Sequence, residues 1–471
     1  MLHVSTRGEA PKLSFSDAML AGLARDGGLY VPESYPRLLT TTITGFAGQP
    51  YTEVAKTVMG ALTDGDFTAP VLSRMIDESY AAFRHPAVCP LVQIGDNLFV
   101  QELFHGPTLA FKDVAMQLLG RMMDHVLTAR GQRATIVGAT SGDTGGAAVE
   151  AFKGSKQVDI FILYPHGRVS DVQRRQMTTV DSPNVHALAI DGDFDDCQAL
   201  VKGMFNHHAF RDELGLSGVN SINWGRISAQ AVYYFTAAAA LGGPLRPVSF
   251  SVPTGNFGDV LAGWVAKQMG LPMSRLMVAT NQNDILVRTL HSGSYHVTGV
   301  TPTSSPSMDI QVSSNFERLL FEAHDRDGIA VRRLMANLAQ SKRFEVDEMV
   351  LKRIQGEFDA AAVSEEATAR EIATVWRDAG YLLDPHTAIA VNAARHSLKA
   401  DPRTPVVVLG TAHPAKFPDA VKAASGIHPA LPAHLSDLME RKERFSRLPN
   451  TMSDVERHIR KNARAVRGAA A

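Results

Sequence analysis

The chain is 471 residues long, 45% hydrophobic and 20% charged, with a formal net charge of −1. This excludes a disordered or fibrous protein, leaves room for two or three packed domains, and provides no overall field to draw nucleic acid or an anionic membrane. Two cysteines, Cys89 and Cys197, make neither a disulfide framework nor a cysteine zinc site, and without a signal-peptide core or a bilayer-length apolar run the expectation is a cytoplasmic protein with no metal.

In chain order, residues 14–23 read as a short helix capped by Ser14, residues 26–32 as a glycine turn into a strand, and residues 52–59 and 70–83 as helices. This opening block, residues 1–95, lacks strand–helix alternation and is expected to form an N-terminal α+β domain. From residue 96 the pattern changes. Strands are predicted at 97–102, 134–138, 158–164, 185–190, 248–252 and 276–280. Helices fall between them, after Lys112 as far as Gly131, from the 139–147 turn through Phe152, from Ser170 to Val180, and at 195–208 and 225–241. The alternation predicts an α/β fold of mostly parallel sheets with helices on both faces over residues 96–425, with a smaller subdomain at about 130–205. Residues 301–307 read as a loop free to move, 316–352 and 365–379 as helices, 383–398 as a helix opened by Asp384-Pro385, and 405–410 as an apolar strand ending at Thr411. The basic, polar residues 426–471 are expected to be a surface helix and a frayed tail.

Three stretches could carry chemistry. Lys112 follows the breakers Gly106 and Pro107 and precedes Val114, Leu118, Met122 and Val126, one apolar stripe of a helix. A lysine there meets the positive pole of the helix dipole. It is either a solvated surface residue or an amine kept partly uncharged to react with a carbonyl cofactor. The turn from Pro253 to Asp259 follows a strand and opens a helix, so Gly255 and Gly258 permit a phosphate to approach free N–H groups; the alternative is a tight turn with no ligand. The turn from Gly138 to Ala147 has the same setting, with Thr140, Ser141 and Thr144 adding hydroxyls for a second anion. Asp143 among them would repel an anion unless it points elsewhere, and it or Ser141 could simply cap the next helix.

In this order, Pro107-Thr-Leu-Ala-Phe-Lys112-Asp113, Ala139-Thr-Ser-Gly-Asp-Thr-Gly145 and Pro253-Thr-Gly-Asn-Phe-Gly-Asp259 resemble the motifs of the threonine synthase family. That family is a branch of the tryptophan-synthase-β, fold type II, pyridoxal-phosphate enzymes. Ser5-Thr-Arg-Gly8 and Gly22-Leu-Ala-Arg-Asp-Gly-Gly-Leu-Tyr-Val-Pro32 resemble the family's N-terminal domain. The resemblance implies that Lys112 holds pyridoxal 5′-phosphate and then moves substrate protons. It implies that Gly255, Asn256, Phe257 and Gly258 bind the cofactor phosphate, and that Thr411 meets the pyridine nitrogen. It places Asp143 beside the cofactor where many relatives carry asparagine, a trait shared by the longer bacterial and fungal members. Thr140, Ser141, Gly142 and Thr144 would take the substrate carboxylate. Asn223, Arg226 and Lys416 are expected in substrate binding, the two cations in a pocket for the departing phosphate; a helix cap for Asn223 and a surface ion pair for Arg226 stay open. His413 is expected to be structural, and Asp384 and His386 to start a helix. The implied reaction makes L-threonine and phosphate from O-phospho-L-homoserine and water. A related lyase or dehydratase releasing a 2-oxo acid is the alternative, and both a monomer and a homodimer remain open.

Overall fold

The computed structural model describes residues 1–465. Two sheets organise it. The larger orders its strands Phe358–Ala362, Met273–Thr280, Val248–Pro253, Val406–Gly410, Leu98–Glu102 and Leu91–Gly95, all parallel except the last. The smaller runs Ser446–Pro449, Val185–Asp191, Val158–Pro165, Ala134–Ala139 and Leu216–Ser217, parallel throughout. Helices cover both faces, which is why Val248–Pro253, Val406–Gly410 and Val158–Pro165 are buried at every position, and why Val406–Gly410 reads as an unbroken apolar run. The three central strands of the large sheet end at Glu102, Pro253 and Gly410; the turns that follow carry the lysine, the second glycine turn and Thr411. Among the described residues no helix is long and apolar enough to cross a membrane.

The opening block ends earlier than residue 95, because Leu91–Gly95 is the antiparallel edge of the large sheet. Apart from a small cluster of Ala18, Ala24 and Tyr30, its apolar residues do not form a separate core. Phe15, Val54, Met59, Leu62 and Ile76 belong to the same apolar cluster as Leu118, Trp224, Phe250 and Leu409. Arg318 joins the two parts, its Nε donating to the Tyr30 carbonyl while its guanidinium lies over the Trp224 ring.

Three further expectations change. The predicted 316–352 helix is broken into Phe316–Ala323, Gly328–Ser341 and Glu348–Gln355, with the strand Arg343–Glu345 pairing Ser294–His296. Asp325 and Arg326 sit at positive φ, where a helix cannot continue, and Asp327 caps the restart. The 301–307 loop is tied down. Thr303 donates to both oxygens of Asp309, and Asn281 and Asn283 bridge the same carboxylate to the loop. Finally, the C-terminal region is not a surface appendage. Ser446–Pro449 is an edge strand of the small sheet, and Met452–Asn462 buries Val455 and Ile459 in that sheet's core. The fraying expected at Arg467–Ala471 lies outside the described residues. Ile459→Ala should therefore cost about 2–5 kcal/mol, as for any fully buried isoleucine, measured by thermal or denaturant unfolding; a solvated tail helix would lose almost nothing.

Candidate active site

Lys112 is the first residue of the helix Lys112–Ala129 and is buried. The loop before it is fixed at both ends. Thr108 donates through its backbone N–H and its hydroxyl to the Asp113 carboxylate, both at 2.7 Å. Leu109 and Phe111 bond in antiparallel fashion to the segment after the 406–410 strand, with Phe111 N–H on the Thr411 carbonyl at 2.8 Å and His413 N–H on the Leu109 carbonyl at 3.0 Å. The amine lies over the Phe111 ring, 3.4 Å from Asp143 Oδ2. Burial lowers its proton affinity, and the charges of Lys416 and Arg226 act the same way against the pull of Asp143. The solvated surface reading is thus excluded by the geometry.

The first glycine turn runs from the strand Ala134–Ala139 into the helix Asp143–Phe152. Thr140 Oγ1 accepts from the N–H groups of Gly142 and Gly145, each at 2.9 Å, so the Thr140 hydroxyl oxygen and the Gly142 N–H brace the turn itself. Gly142 has φ 143°, and a Cβ there would lie 2.4 Å from the Gln173 side chain, so only glycine fits. Ser141 and Thr144 are half-buried at the helix start, where first-turn N–H groups have no partner in the helix.

Asp143 does not face this opening. Its Oδ1 accepts from Gln173 Nε2 at 2.8 Å and pairs with Lys416 at 2.9 Å, and its Oδ2 faces Lys112. Burial opposes its charge, but Lys416, Lys112 and Gln173 together hold the carboxyl well below the usual range. Lys416 has no exposed surface, and its three donors are spent on the Thr108 carbonyl at 2.7 Å, Gln176 Oε1 at 2.9 Å and Asp143. The expected place of Lys416 in a phosphate pocket is corrected accordingly: no donor is left for an anion.

The second turn, after Val248–Pro253, has its carbonyls anchored by the 313–315 segment. Ser313 Oγ donates to the Gly255 carbonyl at 2.8 Å, and Asn315 donates to the Asn256 carbonyl through its backbone at 3.2 Å and its side chain at 2.9 Å. A Cβ on Gly255 would lie 2.6 Å from the Ser307 carbonyl oxygen. Phe257 takes φ 62°, a costly left-handed conformation, held by packing against Phe316 and Phe358. Gly258 then opens the helix Gly258–Gln268. Asn256 is half-buried at the mouth of the turn, and Thr411 is buried across from it beyond the 406–410 strand. A buried amine, a helix start stripped of competing groups, and a hydroxyl at the end of the neighbouring strand fit a phosphorylated carbonyl cofactor of pyridine type.

Two residues behave differently from expectation and one was missed. Asn223 is the cap of the helix Trp224–Ala240: its side-chain Oδ1 accepts from Gly225 N–H at 2.9 Å and its Nδ2 donates to the carbonyls of Met19 and Gly218. Its polar atoms serve the backbone rather than a substrate. Arg226 is no surface residue. It is 3% exposed, bonded only through Nη1 to the Val219 carbonyl at 3.1 Å, with Nε buried and without a partner and no ion pair among the described residues. Burial pulls its pKa down to about 10. Asp259 was read only as the last letter of its motif. It is buried against the hydroxyls of Tyr233 and Tyr234, with Oδ2 unpartnered, and burial raises its pKa to about 7. The adjacent tyrosines Tyr233 and Tyr234 in the helix Trp224–Ala240 were the available signal. His413 accepts from Ala415 N–H at 3.1 Å, and Asp384 caps the Pro385–Ala400 helix and bonds His386 at 2.9 Å, both structural as expected.

Residues 89–336 match the family described as "Pyridoxal-phosphate dependent enzyme", residues 2–80 "Threonine synthase N terminus" and residues 387–459 "Threonine synthase, C-terminal". A Pseudomonas aeruginosa protein named threonine synthase is 54% identical, covering 98% of this chain and 98% of its own. The chain belongs to the threonine synthase family. Two solved threonine synthases share the fold. A pyridoxal-phosphate-bound one from Brucella melitensis aligns with a TM-score of 0.96 at 62% identity, over 98% of this chain and 100% of that one. A yeast one aligns at 0.92 and 38% identity, over 98% of each chain. The fold is that of the type II pyridoxal-phosphate enzymes and the cofactor is pyridoxal 5′-phosphate.

Proposed function

We propose that this member of the threonine synthase family converts O-phospho-L-homoserine and water to L-threonine and inorganic phosphate, with Lys112 as the residue that binds the cofactor and moves protons. Pyridoxal phosphate, once bound, supplies an electron sink for proton loss at the substrate α- and β-carbons. The N–H groups of residues 255–258 would hold its phosphate, the Thr411 hydroxyl its ring nitrogen, and Ser141 with Thr144 the substrate carboxylate. Lys112 Nζ, buried and of lowered proton affinity, takes the α-proton and then a β-proton. Between these two removals the amine hands the first proton on. After the γ-phosphate departs toward a cation, one proton returns to the γ-carbon and one to the α-carbon, while water gives its hydroxyl to the β-carbon and its remaining proton to the phosphate.

The observation that favours a phosphorylated substrate is Arg226. A buried guanidinium with no carboxylate partner is costly unless an anion completes it. Its charge also lowers the proton affinity of Lys112, which supports a role for Arg226 near the reacting amine. The site's buried cations, with Cys89 and Cys197 buried and unpaired, suit an enzyme of a reducing compartment such as the cytoplasm.

Incubation with O-phospho-L-homoserine should yield threonine and phosphate in equal amounts. Oxobutyrate and ammonia in place of threonine would assign the chain to the lyases instead. Asn256→Ala should weaken cofactor affinity about tenfold, one charge-assisted hydrogen bond, while leaving the melting of the cofactor-free protein nearly unchanged. Equal affinity in the two proteins would remove Asn256 from the cradle.

A further inference from the structure

Lys416 cannot bind a phosphate without abandoning its three acceptors, yet it is a fully buried cation within reach of the reacting amine. It stands on the segment after the 406–410 strand, whereas Asp143, Gln173 and Gln176 all belong to helices of the small-sheet side. One carboxylate is thus shared by two amines, Oδ1 with Lys416 at 2.9 Å and Oδ2 with Lys112 at 3.4 Å.

We propose that Lys416 is a positioning residue that acts through Asp143: by occupying Oδ1 it limits the hold of this carboxylate on the Lys112 nitrogen, and so keeps that nitrogen able to give up its proton. The groups facing Lys112 are Asp143 from the 143–152 helix, Lys416, Arg226 from the 224–240 helix and Asp259 from the 258–268 helix; Asp113 and His413 also feel the Lys416 charge. Asp143 is the carboxylate paired with Lys112, and Lys416 is the cation paired with that carboxylate. Removing Lys416 deletes a like charge near Lys112 and leaves Asp143 with a single ammonium to satisfy, which favours protonation of the Lys112 nitrogen. Removing the Asp143 charge does the reverse. A brace that only held the two halves together would move both variants in one direction.

The proposal rests on pyridoxal phosphate joining Lys112, and the test separates the two claims. The visible absorbance of the loaded protein is titrated with pH for the parent, Lys416→Met and Asp143→Asn, and the rate of cofactor capture by the cofactor-free proteins is followed at neutral pH. Lys416→Met should move the midpoint up, and Asp143→Asn should move it down, each by about one pH unit or more, the usual effect of one charge at this range. Capture should slow in Lys416→Met and quicken in Asp143→Asn, because only the unprotonated amine attacks a carbonyl. Lys416→Gln keeps hydrogen-bonding capacity without the charge and should follow Lys416→Met, so a methionine variant that fails to fold leaves the test standing. Lys416→Arg should titrate like the parent. Shifts of the same sign in the lysine and aspartate variants, or no shift without the Lys416 charge, would overturn the proposal. A parent protein with no visible band that borohydride bleaches would instead overturn the attachment at Lys112.

Discussion

Lys112→Ala will abolish threonine formation, by about 10⁴-fold or more, while the protein still folds. The size follows from removing the amine proposed to take the substrate protons, since general acid–base groups contribute roughly 10²–10⁴-fold and the proposed covalent hold on the cofactor would be lost as well. The intact fold follows from the surroundings. The loop ahead of Lys112 is fastened by Thr108, Asp113 and the backbone bonds of Leu109 and Phe111, none of which uses the lysine side chain. Asp143 keeps Lys416 and Gln173 as partners. The loss is that of a lysine stem, about 1–2 kcal/mol, partly offset because an ammonium of lowered proton affinity no longer has to be buried. The absorbance of the loaded protein, the threonine assay and a thermal melt of the cofactor-free form decide it together. Threonine made at the parent rate by this variant would end the assignment of Lys112.

Arg226→Met will separate function from stability in opposite directions. Losing one partner of a buried charge pair costs about 2–5 kcal/mol, so kcat/KM for the phosphorylated substrate should fall roughly 30- to several-thousand-fold by the conversion of about 1.4 kcal/mol per factor of ten. The free protein should be no less stable, and more stable if anything. Among the described residues its guanidinium has a single hydrogen bond, to the Val219 carbonyl, and no counter-charge, so methionine exchanges a poorly solvated cation for an apolar chain of similar length. A competitive test with inorganic phosphate sharpens the result: product inhibition should weaken in the variant along with substrate binding. A variant with unchanged kinetics and lower stability would make Arg226 a structural residue.

The large features of this molecule were open to reading because burial on both faces leaves a plain mark. Unbroken apolar strands such as Val406–Gly410, glycine turns at their ends and the stripe behind Lys112 each show in the order of residues alone. Strands that lie at sheet edges do not. Phe358–Ala362 and Ser446–Pro449 are short and partly exposed, so their pairing is settled by neighbours far along the chain. The interruption at Asp325 and Arg326 was faint for a related reason. The Asp325-Arg-Asp-Gly328 run carries a weak turn signal, and the docking of Arg326 on the carbonyls of Pro32 and Glu33 fixes the break there.

At the site, residue types pointed to the chemistry but not to its division of labour. Lys416, Thr140 and Asn223 looked like ligands for anions, since a lysine, a hydroxyl and an amide can each serve. The structure spends them on protein partners, through contacts that span up to 308 positions in the sequence, as between Lys416 and Thr108. Arg226 carried no sign of its isolation, because having no counter-ion is a property of everything packed around it.

The edge strand Ser446–Pro449 and the helix Met452–Asn462 complete a sheet whose other strands all lie before residue 218. During synthesis on the ribosome, the half bearing the 140–144 turn must therefore wait, one strand short and with Val455 and Ile459 missing from its core, until residues 446–462 have been made. Nascent chains cut short between residues 426 and 446 would carry Lys112, both glycine turns and Arg226, yet expose an unpaired strand edge, so quality control would find the defect on the surface rather than in these groups.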